Sequence, residues 1–293
     1  MASSSPLSPL KVSIASFNIA CSRKDEKFQP LYARLPIIWD MISSAVATHG
    51  VNIICLQEVR ETGEMSAYDV IAYFASKLKW DFHSQRVNPS AREFCRVTMW
   101  DPSAFHHCES IYTHTPNTKL PEKPFMAMKS YFTMASSKDM YPTFSVINAH
   151  APVNKEDKLE YWRQVLSLIV HNKHPSIAIG DFNKFNEDIP INNHQLVMPA
   201  LYAQMLKKDP NPLIIKDWIT QKEVTFTSYD NDRQPSGELW VGALDGILTD
   251  VRDKLEVNHS IIPTTDKIKS PVDGNEYRAS DHYLILASFE LPR

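Results

Sequence analysis

The chain has 293 residues, 31 Lys and Arg against 34 Asp and Glu, a formal net charge of −3 and 43% hydrophobic residues. A chain this long closes a core without disulfides or a structural metal, and its charge balance excludes the global basic field of many nucleic-acid binders while leaving room for a local basic groove. The four cysteines, Cys21, Cys55, Cys95 and Cys108, make no CxxC or Cys/His zinc pattern and read as reduced thiols of an intracellular protein.

The start, "MASSSPLSPLK", has neither the charged opening nor the apolar run of a secretory signal. Residues 1–10 are expected to form a disordered tail, residues 11–293 a single domain, and the protein to be intracellular, cytoplasmic or nuclear. No window approaches the ~18 consecutive apolar residues of a membrane span. "KVSIASFN" (11–18) alternates as a strand does. "NIICLQE" (52–58) and "SIAIGDFN" (176–183) are short apolar runs that stop in polar residues, the pattern of buried strands with polar C-terminal ends. Between the first two, "LPIIWDMISSAVATHG" places Pro36 for a first helical turn and Gly50 for a C-terminal cap. A second helix is expected from Tyr68 to Lys79.

The middle of the chain reads as strands: "FCRVTMW", "FHHCESI", "PFMAMKSYFTMA" and "TFSVINAH", separated by turn residues such as Asp101-Pro102, predict a four-strand meander. From Glu156 to Asn172, Leu159, Trp162, Leu166, Ile169 and Val170 share one helical face while Lys158, Arg163 and Gln164 turn away, so this helix packs on a sheet. Leu196 to Lys207 reads as a further helix. The interleaving of helices and strands predicts an α/β fold of two mixed sheets packed face to face with helices outside.

Polar residues recur where the apolar runs stop. Asn18 ends the first strand, Glu58 the second and His150 the middle one; Asp181 and Asn183 end "SIAIGDFN", Asp245 lies in "ALDGILT", and Asp281-His282 opens the last strand. Singly, each is explained as a turn residue, a cap or a satisfied core histidine. Together, "SFN", "LQE", "INAH", "GDFN", "LDGI" and "SDH", in that order, resemble the endonuclease/exonuclease/phosphatase superfamily, the DNase I-like fold, over nearly the whole chain from Lys11 to Leu291.

The resemblance implies a four-layer sandwich that hydrolyses phosphate esters with Mg²⁺, for which Mn²⁺ is a possible substitute. Mg²⁺ takes oxygen ligands and keeps several waters, so one or two carboxylates and the substrate phosphate suffice to hold it. Glu58 is the leading metal ligand, with Asn18, through its amide oxygen, and Asp281 completing the set. His282 paired with Asp245 is expected to orient or deprotonate the attacking water, with Asp181 the competing candidate. Asn183 is expected to contact phosphate, and His150 to stabilise the transition state or protonate the leaving oxygen.

A nuclease acting on DNA or RNA as a monomer is the leading reading. The alternatives are a phospholipid phosphodiesterase of the sphingomyelinase kind and a catalytically silent binding module. The intact residue set argues against silence. His150 follows the DNase I pattern where exonuclease III-type AP endonucleases commonly carry Tyr, which counts against abasic-site cleavage, and the "PAWCDRI" run of inositol-polyphosphate phosphatases is absent. Arg92, Arg96 and Lys123 are weaker candidates for phosphate contact, and His106, His107 and His114 read as surface histidines.

Overall fold

The computed structural model describes residues 10–20, 30–59, 67–85, 95–118, 125–137, 143–170, 173–183, 191–192, 195–196, 215–219, 223–227 and 241–291. The chain runs β1 (Leu10–Asn18), α1 (Leu31–His49), β2 (Ile53–Val59), α2 (Ala67–Leu78), β3 (Asp81–Gln85) and β4 (Cys95–Trp100). It continues through β5 (Phe105–Tyr112), β6 (Met128–Met134), β7 (Phe144–His150), α3 (Lys155–Val170) and β8 (Ser176–Asp181). The short strands β9 (Ile191–Asn192), β10 (Gln195–Leu196), β11 (Ile215–Asp217), β12 (Phe226–Thr227) and β13 (Val241–Gly242) follow. The last part holds β14 (Asp245–Asp250), β15 (Asn258–Ile262), β16 (Ile268–Lys269), β17 (Glu276–Tyr277) and β18 (Leu284–Leu291).

Two mixed sheets carry the fold. One has the order β15-β18-β1-β2-β4-β3 and the other β5-β6-β7-β8-β14-β11-β10-β9. In each, a parallel pair lies inside the sheet, β1 with β2 and β7 with β8, and a helix makes the crossover that parallel strands require, α1 for the first and α3 for the second.

These strands are buried on both faces, which is why they read as continuous apolar runs. Val12, Ile14, Ile53, Cys55, Val146, Ile177, Ile179, Ile247 and Ile285 fill the space between the sheets. Ala15, Phe17, Ile54 and Leu56 face α1 and α2, and Ile147, Ala149 and Ala178 face Tyr161, Trp162 and Val165 of α3. The layers are therefore helix, sheet, sheet, helix. Among the described residues no helix is long and apolar enough to cross a membrane.

Several expectations are corrected. The meander holds for β5, β6 and β7, but β4 belongs to the opposite sheet, between β2 and β3, because the Asp101–Ala104 turn carries the chain from one sheet to the other. Helix α1 begins five residues before Pro36, which lies inside it. The early start is held by Arg34, whose buried guanidinium finds carbonyl partners only if this turn is helical and packed inward. Gly50 caps the helix in the left-handed region as expected (φ 62°). Leu10 already belongs to β1, and Leu196 pairs as a strand; the rest of the segment expected to be helical lies outside the described residues, as do residues 1–9, Cys21, Arg92 and Lys123. His107 is half-buried and stacks on Trp100 at 4.9 Å, whereas His106 and His114 are exposed.

Candidate active site

The inner faces of the strands decide what meets at the mouth of the sandwich. Side chains alternate along a strand, so the parity that sends Val12 and Ile14 inward also sends Ser16 and Asn18 inward. In the same way Val146 predicts Asn148 and His150, Ile179 predicts Asp181, and Ile247 predicts Asp245. The register then aligns the ends: His150 lies beside Asp181, and Asp181 opposite Asp245.

Glu58 has the wrong parity, and a bulge corrects it. The β2–β4 register shifts between Leu56 and Val59, and Glu58 takes a left-handed backbone (φ 54°). Such a bulge re-aims a side chain at a modest cost in strain. The Glu58 carboxylate thereby reaches 3.6 Å from His150 Nε2 and accepts a hydrogen bond from Asn18 Nδ2 at 3.2 Å.

Asn18 donates a second bond to Asp181 Oδ2 at 3.0 Å, while its Oδ1 accepts from the Ala20 N–H at 2.9 Å. Asn18 therefore turns its amide nitrogen to the two carboxylates and its oxygen to the backbone. Asp181 also accepts from the Asn183 N–H at 2.8 Å. Asn183, itself left-handed (φ 48°), donates Nδ2 to the Ala151 carbonyl at 2.6 Å.

His282 stands with Nδ1 3.0 Å from Asp245 Oδ2 and Nε2 3.6 Å from Asp181 Oδ2. Its backbone N–H donates to Ser280 Oγ, and Phe226 covers it edge-on at 5.1 Å. The ligand atoms of two trios, Glu58–His150–Asp181 and Asp181–Asp245–His282, each lie within 4.8 Å of one another, with Asp181 common to both. Asp281 belongs to neither trio but is near enough to act on Glu58.

Electrostatics distinguish the groups. Burial and the neighbouring Asp281 push the Glu58 carboxyl up to about 7. Burial, reinforced by Asp245, pushes Asp181 up to about 6. Burial disfavours charge on His282, but Asp245 and Asp181 outweigh it and hold the imidazole well above its ordinary value. His150 goes the other way: burial and then Arg96 keep it neutral well below its ordinary value.

Other residues support those of the site. Lys158, expected to turn away from the core, is buried and donates Nζ to the Asn183 carbonyl at 2.9 Å. Tyr161, one turn on, accepts from the His150 N–H at 2.8 Å, and Arg96 donates to the His150 carbonyl at 2.8 Å, so Arg96 is buried in support of His150 rather than solvated. Below the mouth, Gln57 Nε2 donates to Asn148 Oδ1 at 2.8 Å and ties the two sheets. These last two were findable: each is the inward polar residue within the "LQE" or "INAH" stretch.

The fold is that of the endonuclease/exonuclease/phosphatase superfamily. A protein of that family from Bacteroides vulgatus matches with a TM-score of 0.64 and 17% identity over 97% of this chain and 100% of its own. TDP2 from Caenorhabditis elegans matches with a TM-score of 0.61 and 15% identity over 96% of this chain and 75% of its own. TDP2 from D. rerio, complexed with a single-strand DNA product, matches with a TM-score of 0.63 and 17% identity over 96% of this chain and 99% of its own. No protein-family profile and no curated protein sequence matches the chain.

Proposed function

We propose that the protein is a Mg²⁺-dependent phosphodiester hydrolase acting on nucleic acid, DNA or RNA. The observation that carries the reading is the array Asp245–His282–Asp181 set beside Glu58 at the mouth between two sheets. The likeness in fold to a TDP2 complexed with single-strand DNA product supports nucleic acid as the substrate class. We take the protein to act inside the cell, cytoplasmic or nuclear, and its working form to be a monomer.

The residues fit a hard divalent cation. Glu58 is a half-buried carboxylate whose charge is disfavoured both by its surroundings and by Asp281, and the donors nearest to it are oxygen and imidazole rather than thiolate. Glu58 and Asp281 would hold the ion, with Asn18 orienting Glu58 through its amide nitrogen. When bound, the ion polarises a phosphoryl oxygen and stabilises charge on the leaving oxygen.

The chain's own groups divide the remaining work. Asp181, ionised at neutral pH and fixed by Asn18 and the Asn183 N–H, accepts the proton of the attacking water. His282 is held protonated by its two carboxylates, so it serves as a cationic donor to a phosphoryl oxygen rather than as a base. Asp245 fixes the ring through Nδ1. Neutral His150 donates a hydrogen bond to the phosphoryl group, and Asn183 lines the phosphate position.

The test is a hydrolysis panel run with Mg²⁺, with Mn²⁺ and with EDTA, on single- and double-stranded DNA, RNA, bis-p-nitrophenyl phosphate, p-nitrophenyl phosphate and sphingomyelin. Metal-dependent turnover of a nucleic acid and of the synthetic diester is expected, with little on the monoester. Turnover of sphingomyelin alone, or of nothing, would overturn the reading.

A further inference from the structure

We infer that Arg34 is a positioning residue that locks the two turns carrying Asn18 and Asp281-His282 into one frame. Those turns lie at opposite ends of the chain and at one end of the β1–β18 ladder, whose last paired residues are Ser16 and Ile285, so the ladder stops short of both turns. Arg34 stands in the first turn of α1 with 1% of its surface exposed. Its Nη1 donates to the Ile19 carbonyl at 3.1 Å and to the Ala279 carbonyl at 2.6 Å, and its Nη2 donates to the Ala20 carbonyl at 2.9 Å.

Each of those carbonyls belongs to a residue within two positions of Asn18 or Asp281. Ile19 and Ala20 follow Asn18, and the Ala20 N–H donates to Asn18 Oδ1 at 2.9 Å. Ala279 precedes Ser280, whose hydroxyl donates to the Asn18 carbonyl at 2.6 Å and accepts from the His282 N–H at 3.1 Å. A planar guanidinium spans three carbonyls on two segments, which a single ammonium cannot do with the same geometry.

The inference builds on the metal-site reading of Glu58 and Asp281, and its test begins on metal-free protein so that the two stand or fall separately. Arg34→Met and Arg34→Lys are compared with Ile42→Ala, a core truncation two turns further along the same helix. In Arg34→Met, amide exchange at Ala20 and His282 rises about tenfold or more, Mg²⁺ binding by calorimetry weakens about tenfold, and kcat falls by a similar factor with KM within about threefold. Arg34→Lys falls between this variant and wild type. Ile42→Ala lowers the melting temperature and leaves exchange at the two amides and Mg²⁺ affinity unchanged. If Arg34→Met does not fold, Arg34→Lys takes the same measurements. Wild-type exchange at both amides in either Arg34 variant, or equal effects from Ile42→Ala, overturns the inference. Absence of Mg²⁺ binding by the wild type counts instead against the proposed function, while the exchange comparison still decides Arg34.

Discussion

Asp181 and Asp245 lie directly opposite one another on the antiparallel β8–β14 ladder, both buried, and the His282 ring offers one nitrogen to each carboxylate. Like charges paired across strands repel, and a buried pair of this kind is tolerable only with a cation or a proton between them. On the proposed function, the imidazolium that relieves this repulsion would also be the group that meets the phosphate.

This arrangement predicts how the trio responds to mutation. His282→Ala is expected to lower turnover on the order of 10²–10⁴-fold, with Asp245→Asn close behind. The double variant should fall within about threefold of His282→Ala, because groups that act as a unit are non-additive. Specific activity is to be measured per folded molecule, well below each melting temperature. Wild-type turnover in His282→Ala would reduce the pair to a structural one.

Glu58→Gln tests the metal assignment. Removal of the ligand charge should lower the rate at limiting Mg²⁺ by roughly tenfold or more and leave the melting temperature of metal-free protein nearly unchanged or raised, since buried repulsion is relieved. Raising the Mg²⁺ concentration should restore part of the rate. An unaltered rate at limiting Mg²⁺ would remove Glu58 from the ligand set.

Gly180 shows why a glycine precedes Asp181. Its φ is 145°, and a Cβ placed there would stand 2.1 Å from the Ala149 carbonyl oxygen of the neighbouring parallel strand. The clash is with backbone, which cannot rotate away. Gly180→Ala is expected to destabilise by more than about 3 kcal/mol and to part β7 from β8 where His150 and Asp181 meet. Urea unfolding together with the rate of the folded fraction checks both. A loss below about 1 kcal/mol would show that the strands can shift.

Lys129 gives a pH signature away from the site. Its ammonium is buried, donates to the Leu168 carbonyl near the end of α3, and is brought down to about 8 by burial, against which Asp253 acts. A lysine with a lowered folded value carries its full destabilising cost below pH 8, and that cost declines between pH 8 and about 10.5 as the folded state alone sheds the proton. Relative to Lys129→Met, wild-type stability should rise by roughly 1–2 kcal/mol across that window, a figure reduced for partial solvent screening. Parallel unfolding curves for the two proteins at pH 7 and pH 10 would contradict the burial cost.

Much of the site was legible because strand parity is written into sequence. Apolar runs that end in Asn18, His150 and Asp181, and the run that Asp245 opens, announce inward side chains at strand ends, since alternation depends only on local backbone geometry. Gln57 and Asn148 obey the same rule. The helices on 31–49 and 155–170 were legible from their period and the Gly50 cap, yet the start of α1 was not, because Arg34 is satisfied by carbonyls more than ten residues away along the chain.

What composition and local pattern determine here is the list of elements, their two-sided burial and the residue types at their ends. Which ends meet is decided by the tertiary structure. Sheet membership moved β4 away from the strands that follow it, a bulge turned Glu58 toward His150, and different neighbours push the two site histidines in opposite directions. Asp245 and Asp181 hold His282 protonated, while Arg96 helps to keep His150 neutral. Lys158 reads as a surface lysine by helical period and becomes a buried donor to Asn183 only once α3 lies on its sheet. Alternation and period are properties of neighbouring residues, whereas charge and protonation depend on groups that the chain brings together from far outside any local window, 37 residues apart for Asp245 and His282 and 54 for Arg96 and His150.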